Sequence, residues 1–301
     1  MPYEEKFIMS ESECARSDMF VITPFLKDII LRTEALHLRG GVGVWFGELG
    51  LGKTATARYL LNAIDNGHSP ETSVQCKGLY YQVAYGLGRG IIEFKRGLKC
   101  LYEGAFNTPL DHSIYTRTSP EGLTAYILEV LRAKNIRSIF IDDADFLSTP
   151  RIRALLYLHS TAQRLAWPLC IIFIGTIEIC KTLARIPAEL QCVEDWYFFK
   201  EYDLNDTWMM LAELHPHFRT LDPSDSEHRR QVEFLHEVLG GYPSRLAAFI
   251  RQMNRFLASY DHPIDERYLR LIHAHMRCES VGGLRLLKTS ATFRSRRAAT
   301  L

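Results

Sequence analysis

Gly47-Glu48-Leu49-Gly50-Leu51-Gly52-Lys53-Thr54 fits the spacing G-x-x-x-x-G-K-[ST]. Each residue type in it has a use in holding a polyphosphate. Glycines let the backbone curl until its N–H groups converge on phosphate oxygens. Lys53 supplies a point charge for the β- and γ-phosphates, and the Thr54 hydroxyl is a hard oxygen donor suited to Mg²⁺. A helix opening at this point aims its positive end at the anion. A chance glycine-rich turn of this pattern arises in roughly one chain of this length in a hundred. Here the pattern sits between an apolar run and a helical one, the setting that phosphate binding requires. The expected nucleotide-binding set is Gly47, Glu48, Gly50, Leu51, Gly52, Lys53, Thr54 and Ala55, with ATP and Mg²⁺ as ligands.

A second constellation follows. Ile139-Phe140-Ile141-Asp142-Asp143 is an apolar strand that ends in two carboxylates. After a phosphate loop, the first acid reads as the Mg²⁺ partner of Thr54. The second reads as the group that polarises the attacking water. Two further residues have the chemistry to report on a γ-phosphate. Thr176 follows an apolar run and could orient the water, although Thr is equally a good helix N-cap. Arg245 stands near a helix start, where the dipole disfavours a cation unless an anion offsets the cost; otherwise it is a solvated surface arginine.

These residues need elements to position them. Apolar spacing predicts a helix over 21–37 and a strand over 40–46 that runs into the glycine-rich turn. A helix is predicted over 54–64, a strand over 78–84, a helix over 121–134 and a strand over 138–142. Then come a helix over 150–165, a strand over 169–174 and a fifth strand over 196–199. The strand runs are continuously apolar, which points to a parallel sheet covered by helices on both faces, a doubly wound α/β domain. Beyond Asp203 the strand signals stop, and four helical segments follow: 205–213, 229–239, 243–260 and 265–277. The expected organisation is a lead-in over 1–20, a nucleotide-binding α/β domain over 21–202, a small helical domain over 203–277 and a basic tail over 278–301.

Composition limits the function classes. The chain has 301 residues, 47% hydrophobic and 24% charged, with 36 Lys+Arg against 35 Asp+Glu. A protein that coats nucleic acid through bulk charge is more basic, so any such contact must be a local patch. Seven cysteines without a C-x-x-C pair argue against a disulfide framework and a structural zinc site. The N-terminus lacks a signal pattern, and the longest apolar stretch, 169–174, is too short for a bilayer. The expectation is a cytoplasmic protein with no membrane partner.

The helix–strand–helix insertion between the two phosphate-site strands points to the branch of P-loop enzymes that includes AAA+ and RecA-like ATPases. GELGLGKT (Gly47–Thr54), FIDDADFL (Phe140–Leu147), IIFIGTIEI (Ile171–Ile179) and GGYPSRLAAFI (Gly240–Ile250), in this order, resemble the AAA+ superfamily. More narrowly, they resemble the TnsC/TniB-type transposition regulators related to MuB. The resemblance covers about residues 20–277. It implies a three-layer αβα AAA+ domain with a parallel sheet and a helical lid. It also implies an ATPase that forms a ring or helical filament on double-stranded DNA, in the prokaryotic cytoplasm and nucleoid, and recruits a transposase and a target-selection protein.

Two departures from the family pattern matter. Asp143 stands where Glu is usual, one methylene shorter, which predicts slow hydrolysis. The arginine expected after the sensor strand is missing from Leu190–Glu194; Arg185 is the nearest substitute to act in a neighbouring subunit, with Arg151 and Arg153 next. For DNA, Arg89, Lys95, Arg96 and Lys99 lie among glycines and suit backbone phosphate contacts, although such a run also reads as a solvated helix face. Two other readings are a DnaA- or IstB-like loader of replication proteins and a signalling or defence NTPase switch that does not act on DNA.

Overall fold

The computed structural model of the protein describes residues 20–65, 77–83, 91–259 and 264–277. The expected lead-in up to residue 19, Arg89 and the basic tail from 278 lie outside them. The chain divides into two units, Ile22–Lys200 and a second that contains everything from Glu201 onward.

The first unit runs α1 (Pro24–Arg39), β1 (Val42–Gly47), α2 (Lys53–Asp65), β2 (Lys77–Gln82), α3 (Ile91–Phe106), α4 (His112–Arg117), α5 (Pro120–Ala133) and β3 (Ile136–Asp142). It continues with α6 (Thr149–Arg164), β4 (Cys170–Gly175), α7 (Ile177–Leu183), α8 (Pro187–Leu190) and β5 (Val193–Phe199). All four strand pairings are parallel, in the order β2-β3-β4-β1-β5. The arrangement is the P-loop AAA+ fold, a parallel sheet with helices on its flanks.

The helix ends follow their capping chemistry. Leu26 N donates to Thr23 Oγ1 at the start of α1, with Pro24 in the first turn. Gly40 ends the helix in the left-handed region, φ 76°, and donates to Leu36 O at 2.8 Å. Ser119 with Pro120, and Asp111, cap α5 and α4 in the same way.

The three central strands match the continuous apolar pattern; every residue of β4 is buried. The two edge strands do not. Exposed and covered residues alternate in β5, and β2 is exposed at both ends. An edge strand at the margin of its helix cover has one face partly in water, so its burial alternates even though the exposed Trp196 and Phe198 are apolar. That is also why only the last four residues of β5 carried a signal: Glu194 and Asp195 are its polar positions.

Two cores sandwich the sheet. One joins Val44, Ile139, Ile171 and Phe173 to Leu98, Leu128, Leu155 and Ile179 of the helices on that face. On the other face Trp45 packs against Phe140 and Phe199, with ring centroids 5.9 and 5.4 Å apart, and Phe25 of α1 meets Phe199 edge-on at 6.0 Å. Full burial of a ring of this kind is worth about 1.5–3 kcal/mol relative to leaving it exposed.

The second unit is helical: α9 (Leu204–Leu214), α10 (Pro216–Arg219), α11 (Ser226–Leu239), α12 (Pro243–Ser259) and a helix over 266–277. The short α10 is an addition to the four segments expected. α9 packs against α10, α11 and α12 around Leu211, Leu235 and Phe249. Gly240 and Gly241 both have positive φ, 67° and 65°. A Cβ on Gly241 would lie 2.3 Å from Tyr202 O, so the turn between α11 and α12 requires glycine there.

Gly40 gives the fold a direct test. A Cβ there would lie 2.5 Å from Pro168 Cα, at a positive φ. Gly40→Ala is expected to lower unfolding free energy by more than ~1 kcal/mol, read as a lower midpoint in urea denaturation. An unchanged midpoint would contradict the packing of α1 against the segment before β4.

Candidate nucleotide site

β1 ends at Gly47, and α2 opens a short turn later at Lys53. The turn between them is forced by Gly47, Gly50 and Gly52, with φ of 153°, 85° and 89°. Gly47 leaves the strand against β5, where a Cβ would sit 2.3 Å from Phe199 O; Gly52 faces open space. Leu51 is buried beneath the loop and pins it to the core, while Thr54 and Ala55 are exposed at the helix start. The loop and helix N-terminus thus present backbone N–H groups to a free surface, the arrangement that binds phosphate.

Lys53 lies almost wholly within the loop. Its Nζ donates to Gly47 O at 2.8 Å and to Glu48 O at 2.6 Å. Burial lowers its pKa, and the carboxylates of Asp142, Asp145 and Asp143 oppose that shift. An ammonium held by two carbonyls beside three acids is poised to exchange those carbonyls for phosphate oxygens.

Asp142 and Thr54 meet as the sequence predicted: Thr54 Oγ1 donates to Asp142 Oδ2 at 2.6 Å. The sheet order brings this about, because β4 alone separates β3 from β1 and all three run the same way. A hydroxyl and a carboxylate are hard oxygen donors, the set Mg²⁺ takes alongside substrate phosphates. Thr54 and Asp142 would hold the ion, which supplies charge neutralisation for the β- and γ-phosphates.

Three contributors to the site escaped the sequence reading. Tyr80 OH also donates to Asp142 Oδ2, at 2.6 Å, so Asp142 is oriented from β2 as well as from α2. Burial and the bond to Asp142 both raise the Tyr80 pKa, keeping the phenol a donor. Gln82, paired in register with Asp142, donates Nε2 to Asp143 Oδ2 at 2.8 Å. Asp143 has left-handed backbone, φ 55° and ψ 37°, which Asp tolerates better than most residues. Its carboxylate is therefore held at the β2 edge of the site. The third contributor is Asp145, whose Oδ2 accepts from Thr176 N at 2.7 Å. Its Oδ1 is buried with no partner among the described residues, and Gly175 makes room for it, since a Cβ there would lie 2.7 Å from that atom. The signal was present in each case: polar residues at the C-terminal end of β2, and a third acid in FIDDADFL.

The other expected residues divide. Thr176 ends β4 beside the loop strand, and its hydroxyl caps α7 by accepting from Glu178 N at 3.2 Å. Arg185 is exposed after α7, with no side-chain bond to any described residue. Arg151 is buried and Arg153 pairs with Glu189 at 2.7 Å, so neither offers a free guanidinium. In the helical unit, Arg245 is exposed with its guanidinium 4.1 Å from the centre of the Tyr242 ring. The expected DNA patch is less open than its sequence: Lys95 Nζ donates to Thr118 O at 2.8 Å and lies over Tyr115. Lys99 lies over the same ring and reaches Glu103 at 3.7 Å. Of the three described members, Arg96 alone is exposed. No helix among the described residues is long and apolar enough to cross a membrane.

Residues 37–183 match the family model described as AAA domain. A search of curated proteins gives no match. Solved structures share the fold. The Aeropyrum pernix ORC2 protein in its ADPNP–ADP complexes aligns with TM-score 0.61 at 12% identity, covering 83% of this chain and 66% of that one. Domain III of the Thermotoga maritima replication initiation protein DnaA aligns at 0.52 and 15%, covering 84% and 92%. The Aeropyrum pernix ORC1 protein in complex with DNA aligns at 0.51 and 16%, covering 86% and 66%. This chain therefore spans just under two thirds of the length of either Aeropyrum protein.

Asp145→Ala removes the acceptor of Thr176 N from a partly buried position. The expected cost is about 1–3 kcal/mol, measurable by thermal or urea denaturation without nucleotide. Asp145→Asn, which keeps an acceptor oxygen, is expected to recover most of that loss.

Proposed function

We propose that the protein is an ATPase that binds ATP and Mg²⁺ at this site, self-associates in the nucleotide-bound state on double-stranded DNA, and recruits a partner enzyme there. The observation that carries the reading is the convergence of Lys53, Thr54, Asp142 and Asp143 at the ends of β1 and β3. In the reaction, the loop N–H groups and Lys53 bind the phosphates, and Thr54 and Asp142 hold the ion. Asp143 accepts hydrogen bonding from the attacking water once Gln82 releases it. Thr176 and Arg245 report the nucleotide state, and Arg185 serves a neighbouring subunit. Positioning and charge stabilisation supply nearly all of phosphoryl-transfer catalysis. A short carboxylate tied to Gln82 therefore makes turnover slow and the ATP-bound assembly long-lived.

The ordered motifs support a regulator of transposition, with a transposase and a target-selection protein as the partners. The likeness to DnaA domain III and to the ORC proteins supports the second reading, a loader of replication proteins. Both readings share the ATP-gated DNA assembly and differ in the enzyme recruited.

Lys53→Ala is expected to abolish ATP binding, and DNA-bound assembly with it, in nucleotide fluorescence and sedimentation assays. Assembly of that variant on DNA at wild-type affinity would sink the nucleotide-gated reading. Asp143→Asn is expected to slow steady-state phosphate release by at least tenfold, on the order of one lost general base, while the assembly persists. A rate untouched by Asp143→Asn would place the catalytic carboxylate elsewhere.

A further inference from the structure

The end of the sheet opposite the phosphate loop carries a row of cations. Lys77 opens β2, Arg137 is the second residue of β3, and Arg132 and Lys134 stand just before β3. Arg164 ends α6, ahead of β4. β2, β3 and β4 are neighbours in the sheet, so the row spans about two strand spacings, or ~10 Å.

Among the described residues, none of these five cations pairs with a carboxylate. Other cations of the unit divide: Arg58, Arg117 and Arg185 also have no carboxylate partner among the described residues. Arg32, Arg39, Arg153 and Lys181 each reach a carboxylate within 2.8 Å. The chain as a whole is balanced, 36 basic residues against 35 acidic, so the row is not a shortage of acids. Two acids lie in the neighbourhood. Asp65 is bonded to Gly78 N, and Glu129 precedes Arg132 by three residues; neither forms an ion pair with the row.

Four of the five, all but Lys77, lie over aromatic rings instead. Arg132 and Arg137 share the Trp167 indole, with guanidinium carbons 5.7 and 5.1 Å from its centre. Lys134 lies over Phe106 at 5.2 Å, and Arg164 over Tyr157 at 5.7 Å. Such stacking fixes the direction of a guanidinium, and Arg164 also donates one Nη to Thr161 Oγ1 at 3.0 Å. Two donors in the cluster, Arg137 Nε and Trp167 Nε1, are buried with no acceptor among the described residues. A groove of about 680 Å³ adjoins the row at Lys77 and Lys134.

We infer that this rim is where the protein grips the phosphodiester backbone of duplex DNA, an inference that rests on the DNA-binding reading above and assigns its surface. The length favours a duplex: ~10 Å of helix axis carries about six phosphate charges. A row of cations without carboxylate partners suits contact with a charged backbone without base readout. The rim and the nucleotide site lie at opposite ends of the strands, so DNA and ATP occupy the domain together.

The test is fluorescence anisotropy of the full chain with a labelled duplex of random sequence, ATP and Mg²⁺, across a salt series. Arg132→Gln, Arg137→Gln and Arg164→Gln combined should weaken binding at least ~tenfold and flatten the slope of log K against log salt by about 0.9 for each phosphate no longer neutralised. Nucleotide affinity and the thermal midpoint should not change. Arg164→Gln alone, at an exposed helix end, provides a variant free of folding effects, with a slope smaller by about one. If the wild type binds duplex and the triple variant binds equally with the same slope, the rim is the wrong surface while the DNA reading stands. If the wild type binds no duplex even at low salt, the DNA reading itself fails and takes the rim with it. Displacement by polyglutamate as readily as by unlabelled duplex would overturn the proposal in favour of an acidic protein partner.

Discussion

Everything at the nucleotide site depends on one constraint: the strands are parallel, and β4 lies between β1 and β3. Parallel strands put all their C-terminal ends on one edge of the sheet. The loop after β1, the acids after β3 and the threonine after β4 then converge without any long-range search by side chains. A parallel sheet must also be covered on both faces, because crossover helices pack there. The aromatic core of Trp45, Phe140 and Phe199 and the aliphatic core under the opposite helices are the two halves of that requirement. The site is therefore a by-product of burial: the same packing that makes the sheet stable makes its C-terminal edge rigid.

The polar arrangement at that edge is a set of adjacent bonded groups. Lys53 holds the loop carbonyls, Thr54 and Tyr80 hold Asp142, Gln82 holds Asp143 and Asp145 holds the backbone of Thr176. Each carboxylate is thus fixed by a donor from a different element. Loss of any one donor leaves a partly buried oxygen less well satisfied, which costs more than the bond itself contributes. Asp145 already shows such an oxygen.

The loop, the acid strand and the five-strand alternation were legible because each rests on a local rule: glycine spacing, an apolar run and period. Asp142 and Thr54 could be paired from sequence because the loop motif anticipates its partner. Tyr80, Gln82 and Asp145 were not, because their roles depend on which strand lies beside which, and adjacency of β2 to β3 is a tertiary fact. The surroundings of the basic stretch at Lys95 and Lys99 were hidden for a related reason. A lysine in a string has no neighbour but its string, whereas in the fold Tyr115 and the Thr118 carbonyl lie within reach. Conversely, the rim cations are scattered over residues 77 to 164, and sheet topology assembles them. The alternation in β5 was masked because Glu194 and Asp195 interrupt the apolar run at the sheet margin.

β2 holds two of the donors that orient the acids, and it is an edge strand, bonded in the sheet to β3 alone. Strands at a sheet margin belong to the less cooperative part of a domain and open at lower free energy than central ones. The Asp143 carboxylate is thus fastened to the part of the sheet that yields first. A small displacement of β2, within the elastic range of a margin and without unfolding, suffices to release Asp143 while the loop strand stays seated. The glycine-rich loop and the Asp143 carboxylate are in this way attached to mechanically separate strands of one sheet.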